Sequence, residues 1–271
     1  MMGGNDQQAY DRGTSLFSPD GRIYQVEYAR EAVSRGAPSV GVRTADGVVF
    51  VAMSRASSTL MEAESIEKLH KLDDHLGTAS AGHVADARQL IDLARRQSQG
   101  NRLRYGEPVG VETLTKFITD HIQENTQRGG TRPYGAALLI GGIDNGEPRL
   151  FAADPSGTPN EWKATVIGGG RKDIQGHLEE EWTEDLSIEA GIELGMAALA
   201  AHDDEFVAGD LAVATITEAD GYRTVPEDEV ADAFDAAGLD EDEEDEENGE
   251  DADADDEENG EDADADDADE E

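Results

Sequence analysis

The stretch YDRGTSLFSPDGRIYQVEYAREAVSRG, residues 10–36, decides how the rest of the chain is read. Ser18-Pro19-Asp20-Gly21 within it is a turn signal: Pro presets φ, and Gly tolerates the left-handed closing position. Ile23, Val26, Ala29, Ala32 and Val33 then recur at helical spacing, and Gly36 is a stop. A helix is therefore expected over 23–35. Directly after it, SVGVRT (39–44) and VVFVAMS (48–54) flank Ala45-Asp46-Gly47. Two β-rich runs around a short Gly-containing loop make a hairpin.

Further along, apolar residues at three- and four-residue spacing predict helices near 83–98 and 111–127, the first through Val84, Ala87, Leu90, Ile91 and Ala94. GAALLIGGI (135–143) and PRLFAAD (148–154) form a second hairpin around Asn145-Gly146. Helices at about 172–182 and 187–202, a strand at 211–217 and a helical stretch near 226–237 complete the body. Strand pairs alternating with helix pairs imply a two-sheet core with helices outside.

The chain has 271 residues, 63 Asp+Glu, 21 Lys+Arg, no Cys and a net charge of -42. Residues 239–271 hold 23 of those acids and no base, which leaves about -19 on the body. The bases are 5 Lys and 16 Arg. An acid-rich, Lys-poor body fits a cytosol of molar salt, where a Debye length of about 3 Å screens self-repulsion. Nucleic-acid binding is disfavoured, because phosphate contacts need clustered cations. No apolar run nears the length of a membrane span. The N-terminal MMGGNDQQAYDR lacks a secretory pattern. Without Cys there is neither a disulfide nor a thiol nucleophile. The segment EENGEDADADD occurs twice, at 246–256 and 257–267. Such sequence cannot bury enough apolar surface to offset ordering entropy, so a disordered tail is expected.

Few motifs carry chemistry. Asp251, Asp253 and Asp255 mimic a calcium loop, but Asp256 stands where Gly is needed and Asp262 where a bidentate Glu is needed. Gly168-Gly169-Gly170-Arg171-Lys172 lacks phosphate-loop spacing and reads as a strand-to-helix turn. Ser65-Ile66-Glu67-Lys68 fits S-x-x-K without its partner motifs. The six His are scattered, with no metal-ligand spacing. By themselves, the residues support an acidic, cytosolic α/β domain with no catalytic constellation and no cofactor.

As strings, several segments are more specific. Tyr10-Asp11-Arg12, Phe17-Ser18-Pro19-Asp20-Gly21-Arg22, Gln25-Val26-Glu27-Tyr28-Ala29 and Glu31-Ala32-Val33 resemble the N-terminal signature of proteasome α subunits. The resemblance continues through Ser65-Ile66-Glu67-Lys68, Val84-Ala85-Asp86-Ala87-Arg88, Arg132-Pro133-Tyr134-Gly135, Asp154-Pro155-Ser156-Gly157 and Lys163-Ala164. It covers about residues 9–235, and the acidity suggests a haloarchaeal version.

The resemblance implies an α+β fold, the four-layer αββα sandwich of N-terminal-nucleophile hydrolases, in its non-catalytic α form. It divides the chain into a gating segment (1–12), an α-type domain (13–238) and the acidic tail (239–271). It implies a heptameric ring of α subunits capping β subunits in a cytoplasmic 20S core. That ring would admit unfolded protein substrates and dock an AAA+ ATPase activator. Tyr10, Asp11, Pro19 and Tyr28 would hold the open gate. Lys68 would receive the activator's C-terminal carboxylate, with Glu27 and Gly82 at other pocket positions between neighbouring subunits. Arg128, Gly129 and Gly130 match the loop that narrows the channel; many relatives carry Tyr where Arg128 stands. The alternatives are a β-type hydrolase, with Gly13-Thr14 as a cleavage point, and an acidic assembly scaffold. Cleavage there would leave Thr14 ahead of the turn and helix, not at the first strand, which opens near Ser39.

Overall fold

A computed structural model describes residues 17–239, apart from 56, 57, 59, 63, 64 and 129. Tyr10, Asp11, the Gly13-Thr14 pair, Gly129 and the acidic repeat therefore lie outside the described residues.

Ten strands form two antiparallel five-stranded sheets. The first sheet is built on β1 (Ser39–Arg43) and β2 (Gly47–Met53), paired so that Val40 faces Val51. Their loop is closed by the Thr44 hydroxyl, which accepts from the Gly47 N–H at 3.1 Å. With β8 (Ala164–Ile167), β9 (Leu211–Thr217) and β10 (Gly221–Thr224) the order is β10-β9-β2-β1-β8. The second sheet runs in chain order: β3 (Leu69–Asp73), β4 (Leu76–Gly82), β5 (Ala136–Asp144), β6 (Glu147–Ala153) and β7 (Pro159–Glu161).

Side chains alternate across a strand, so each strand serves two layers. In β2, Val48 and Phe50 point between the sheets, where they meet Ala79, Leu139, Leu150 and Ile216. Val49 and Val51 point outward, onto α4 (Arg171–Glu181), α5 (Ile188–Ala200) and α6 (Glu227–Ala236) through Ile174, Ile192, Met196 and Phe234. On the other outer face, Leu138 and Ile140 of β5 meet Leu90 and Ile91 of α2 (Val84–Tyr105) and Ile118 of α3 (Val111–Gln127). The layers are thus helix, sheet, sheet, helix. α1 (Tyr24–Ser34) packs against β4 and β5, burying Val26, Ala29 and Val33. Both hairpins and all the expected helices are present, and Gly168–Gly170 is the turn from β8 into α4.

Sequence reasoning passed over a third hairpin, β3–β4. Its second strand, LGTASAG, is made of small residues with weak β propensity. They form a strand because β4 is sandwiched, fully buried from Leu76 through Ala81 and paired with β5 along its whole length. The short strands β7, β8 and β10 were passed over as well. α2 also runs to Tyr105 rather than 98; its stop is Gly106, left-handed at φ 75°, whose N–H donates to the Arg102 carbonyl.

Candidate functional site

The turn before α1 forms as its residues demand. The Gly21 N–H donates to the Ser18 carbonyl at 2.8 Å, and Ser18 Oγ accepts from the Arg22 N–H at 3.1 Å. Pro19 sits at the turn's second position. Tyr28 is half exposed on α1 and stacks on Tyr24 with ring centroids 6.5 Å apart. Arg30, on the same helix, bridges Glu27 at 3.1 Å and Asp154 at 2.9 Å. Asp154 in turn accepts from the Ser156 hydroxyl at 2.5 Å and from its N–H at 3.2 Å. The Asp154-Pro155-Ser156-Gly157 string is therefore a self-closed turn that anchors α1.

Lys68 immediately precedes β3. Its ammonium donates to the carbonyls of Ala37 (2.7 Å), Pro38 (2.9 Å) and Met53 (3.0 Å). Those carbonyls bracket the start of β1 and the end of β2, so one side chain ties three chain segments together. Burial pushes the Lys68 amine down to about 7. The carbonyl cage acts the other way, because a neutral amine has two N–H groups for three acceptors.

Lys68 and Gly82 line one cleft of about 460 Å³, with Gly36, Ala37, Ile66 and Arg88. Backbones meet in its wall. Gly82 has φ +101°, and a Cβ there would sit 2.4 Å from the Gly135 carbonyl oxygen. A Cβ on Gly36 would lie 2.6 Å from the Gly82 nitrogen. Glu27 does not join this cleft; it lines a second one of about 550 Å³ with Phe17, Arg22 and Gln123. Ser65 donates to the Glu62 carbonyl at 2.6 Å, while Lys68 is committed to its own three carbonyls, so the S-x-x-K pair makes no nucleophile. Sequence reasoning gave Arg88 no role; its only signal was membership of the Val84–Arg88 string.

Two strings that looked independent prove to be one device. Asp86, buried in the first turn of α2, accepts from Nη1 and Nη2 of Arg132 at 2.5 and 2.7 Å and from the Gly135 N–H at 2.8 Å. Burial works to raise the Asp86 carboxyl, but Arg132 and the Gly135 N–H outweigh it and hold it below the usual range. A carboxyl lowered on folding stabilises the fold above its unfolded value. That contribution is lost as pH falls through the lower folded value. Asp86→Ala orphans the buried Gly135 N–H, and the expected cost is about 2–3 kcal/mol. Denaturant melts should show that deficit at neutral pH and show it shrinking below about pH 4, the ordinary carboxyl range. An equal deficit at every pH would remove the charge from the explanation.

At the end of α3, exposed Arg128 pairs with Glu124 at 3.2 Å, and Gly130 turns left-handed at φ 89°. The Thr131 hydroxyl closes this loop onto the Arg128 carbonyl at 2.8 Å. Among the described residues there is no metal-binding cluster and no helix long and apolar enough to cross a membrane.

The family described as "Proteasome subunit" matches residues 33–216, and the N-terminal signature of its A-type members matches residues 10–32. The chain is 65% identical to "Proteasome subunit alpha 2" of Haloferax volcanii, over 92% of this chain and all of that protein. It is 60% identical to "Proteasome subunit alpha 1" of the same organism, again over 92% of this chain and all of that protein. To "Proteasome subunit alpha" of Natronomonas pharaonis it is 57% identical over 91% of this chain and all of that protein. With its two-sheet αββα sandwich and the α1 signature ahead of the first strand, the chain belongs to the proteasome subunit family, on the α side.

Proposed function

We propose that this chain is a non-catalytic ring subunit of a cytoplasmic 20S core. In this reading residues 1–12 obstruct the axial entrance, residues 13–238 form the ring, and residues 239–271 are a solubilising tail. Pro19 and Tyr28, with Tyr10 and Asp11, hold the gate open. An AAA+ activator inserts its C-terminal carboxylate at Lys68. Arg128 and the Gly pair narrow the channel for unfolded substrates. Family membership implies assembly with other proteasome subunits.

The observation that carries the docking reading is the shared cleft of Lys68 and Gly82, a half-buried cation beside open space. Glu27 lies outside that cleft, which suits a pocket completed by a neighbouring copy of α1. The non-catalytic reading rests on β1. It opens at Ser39, whose hydroxyl is buried and donates to the Ser80 carbonyl at 3.0 Å, and no Thr stands there. A threonine-directed covalent inhibitor should label a β partner and leave this chain unmodified, as intact-mass measurement would show. Stoichiometric labelling of this chain would overturn the assignment in favour of a β-type hydrolase.

A further inference from the structure

Lys68 cannot recognise a carboxylate by hydrogen bonding without surrendering a bond it already makes. All three of its N–H donors are taken by the Ala37, Pro38 and Met53 carbonyls. It contributes charge to the cleft, and it holds the cleft's shape. The fork of donors must come from elsewhere.

Arg88 lines the same cleft from α2. It is exposed, and among the described residues its side chain makes no hydrogen bond and no ion pair. Arg22, Arg43, Arg96 and Arg171 are in the same state among the described residues, but of these arginines Arg88 is the one that lines this cleft. Val84, four residues earlier and therefore on the same helix face, is 67% exposed and lines the cleft too. With Ile66 it offers an apolar wall. Among the described residues Glu67 is the one carboxylate in the lining, against the cations of Lys68 and Arg88. In a strongly acidic molecule, this cleft is biased toward an anion with an apolar neighbour.

The geometry points to Arg88 as the hydrogen-bonding anchor for the chain-terminal carboxylate of a peptide seated in the Lys68 cleft, with the peptide's last side chain against Val84 and Ile66. This inference rests on the docking reading above and adds the residue that makes the contact. Guanidinium and carboxylate match as a planar two-bond fork. In concentrated salt a contact of that kind outlasts a point charge, whose reach shrinks to a few Å. The free fork is a recognition element in waiting, and Lys68 is the fixed charge behind it.

The test uses the full chain assembled with its β partner. The probe is a fluorescent synthetic peptide with apolar terminal residues, made with a free carboxylate and as the C-terminal amide. The unmodified assembly should prefer the carboxylate form. Arg88→Ala should weaken that form about ten- to a hundredfold, the scale of charge-assisted bonds. It should leave amide binding unchanged and the melting temperature unmoved, since no bond is lost within the fold. Arg88→Lys should recover part of the preference. If Arg88→Ala keeps full carboxylate preference while Lys68→Ala loses it, the Arg88 role is overturned and docking at Lys68 stands. If the unmodified assembly shows no preference, the docking reading falls and the Arg88 inference falls with it.

Discussion

Lys68→Ala is expected to abolish stimulation by activator C-terminal peptides and also to lower the stability of the subunit. The docking loss follows from removing the cleft's fixed charge and the three bonds that hold its shape. In the proposed ring, equivalent pockets act together, so the functional loss is larger than one site suggests. The stability loss follows from the cage: three carbonyls, at the start of β1 and the end of β2, lose their donor together. Lys68→Arg separates the effects, because it keeps a charge that does not titrate.

The pH dependence has two signs. Burial lowers the folded amine to about 7, against about 10.4 in an unfolded chain. The folded state thus binds the proton less tightly. The resulting destabilisation is complete below about 7 and is relieved as pH rises toward the unfolded value, so this group makes stability climb over that window. Docking runs the opposite way. A carboxylate needs the ammonium, so affinity should be flat below about 7 and fall above it, by up to tenfold per pH unit. Peptide titrations at pH 6 to 9 on the parent and on Lys68→Arg would reveal this. A falling profile in both proteins would assign the dependence to another group, and full stimulation of Lys68→Ala would end the docking role.

Gly82→Ala is expected to be the most damaging single-methyl change at the cleft. The φ of +101° strains any L side chain, at about 1–2 kcal/mol. The added Cβ would sit 2.4 Å from the Gly135 carbonyl oxygen, which is backbone and cannot swing aside. Relief requires shifting the end of β4 from the start of β5, where Gly82 faces Ala136. Overpacking of that kind costs about 1–3 kcal/mol more. A combined loss near 3 kcal/mol lowers the melting temperature by about 6–12 °C in a domain of this size. Gly176→Ala is the matched control: within α4, with nothing within 4 Å of its Cβ, it should be neutral or stabilising by up to about 1 kcal/mol. Equal melting of both variants would show that the backbone crossing at Gly82 tolerates a side chain.

The family strings in the sequence were legible before any of this geometry, yet their mechanics were not. Asp86 and Arg132 are 46 residues apart, and nothing local says that one holds the other. Asp154 and Arg30 are 124 apart, so the turn that anchors α1 could be recognised as a string but not understood as an anchor. Lys68 could be named as a pocket cation from its match. Its three bonds to the strand ends, and the free fork of Arg88 beside it, follow from the way β3 and α2 return to the start of β1.

The sequence by itself determined the turn at Ser18–Gly21, the α1 helix, two hairpins and the flanking helices, because each is written in residues within a few positions of one another. It also determined the charge: an acid excess needs no fold to be counted. Only the tertiary structure decided that the small residues of LGTASAG make a central strand, since burial on both faces and pairing with β5 override their weak propensity. It alone decided that Lys68 and Gly82 share a cleft while Glu27 lines another, because cleft walls are set by where distant backbones cross. Periodicity carries information along the chain, whereas a site is assembled across it.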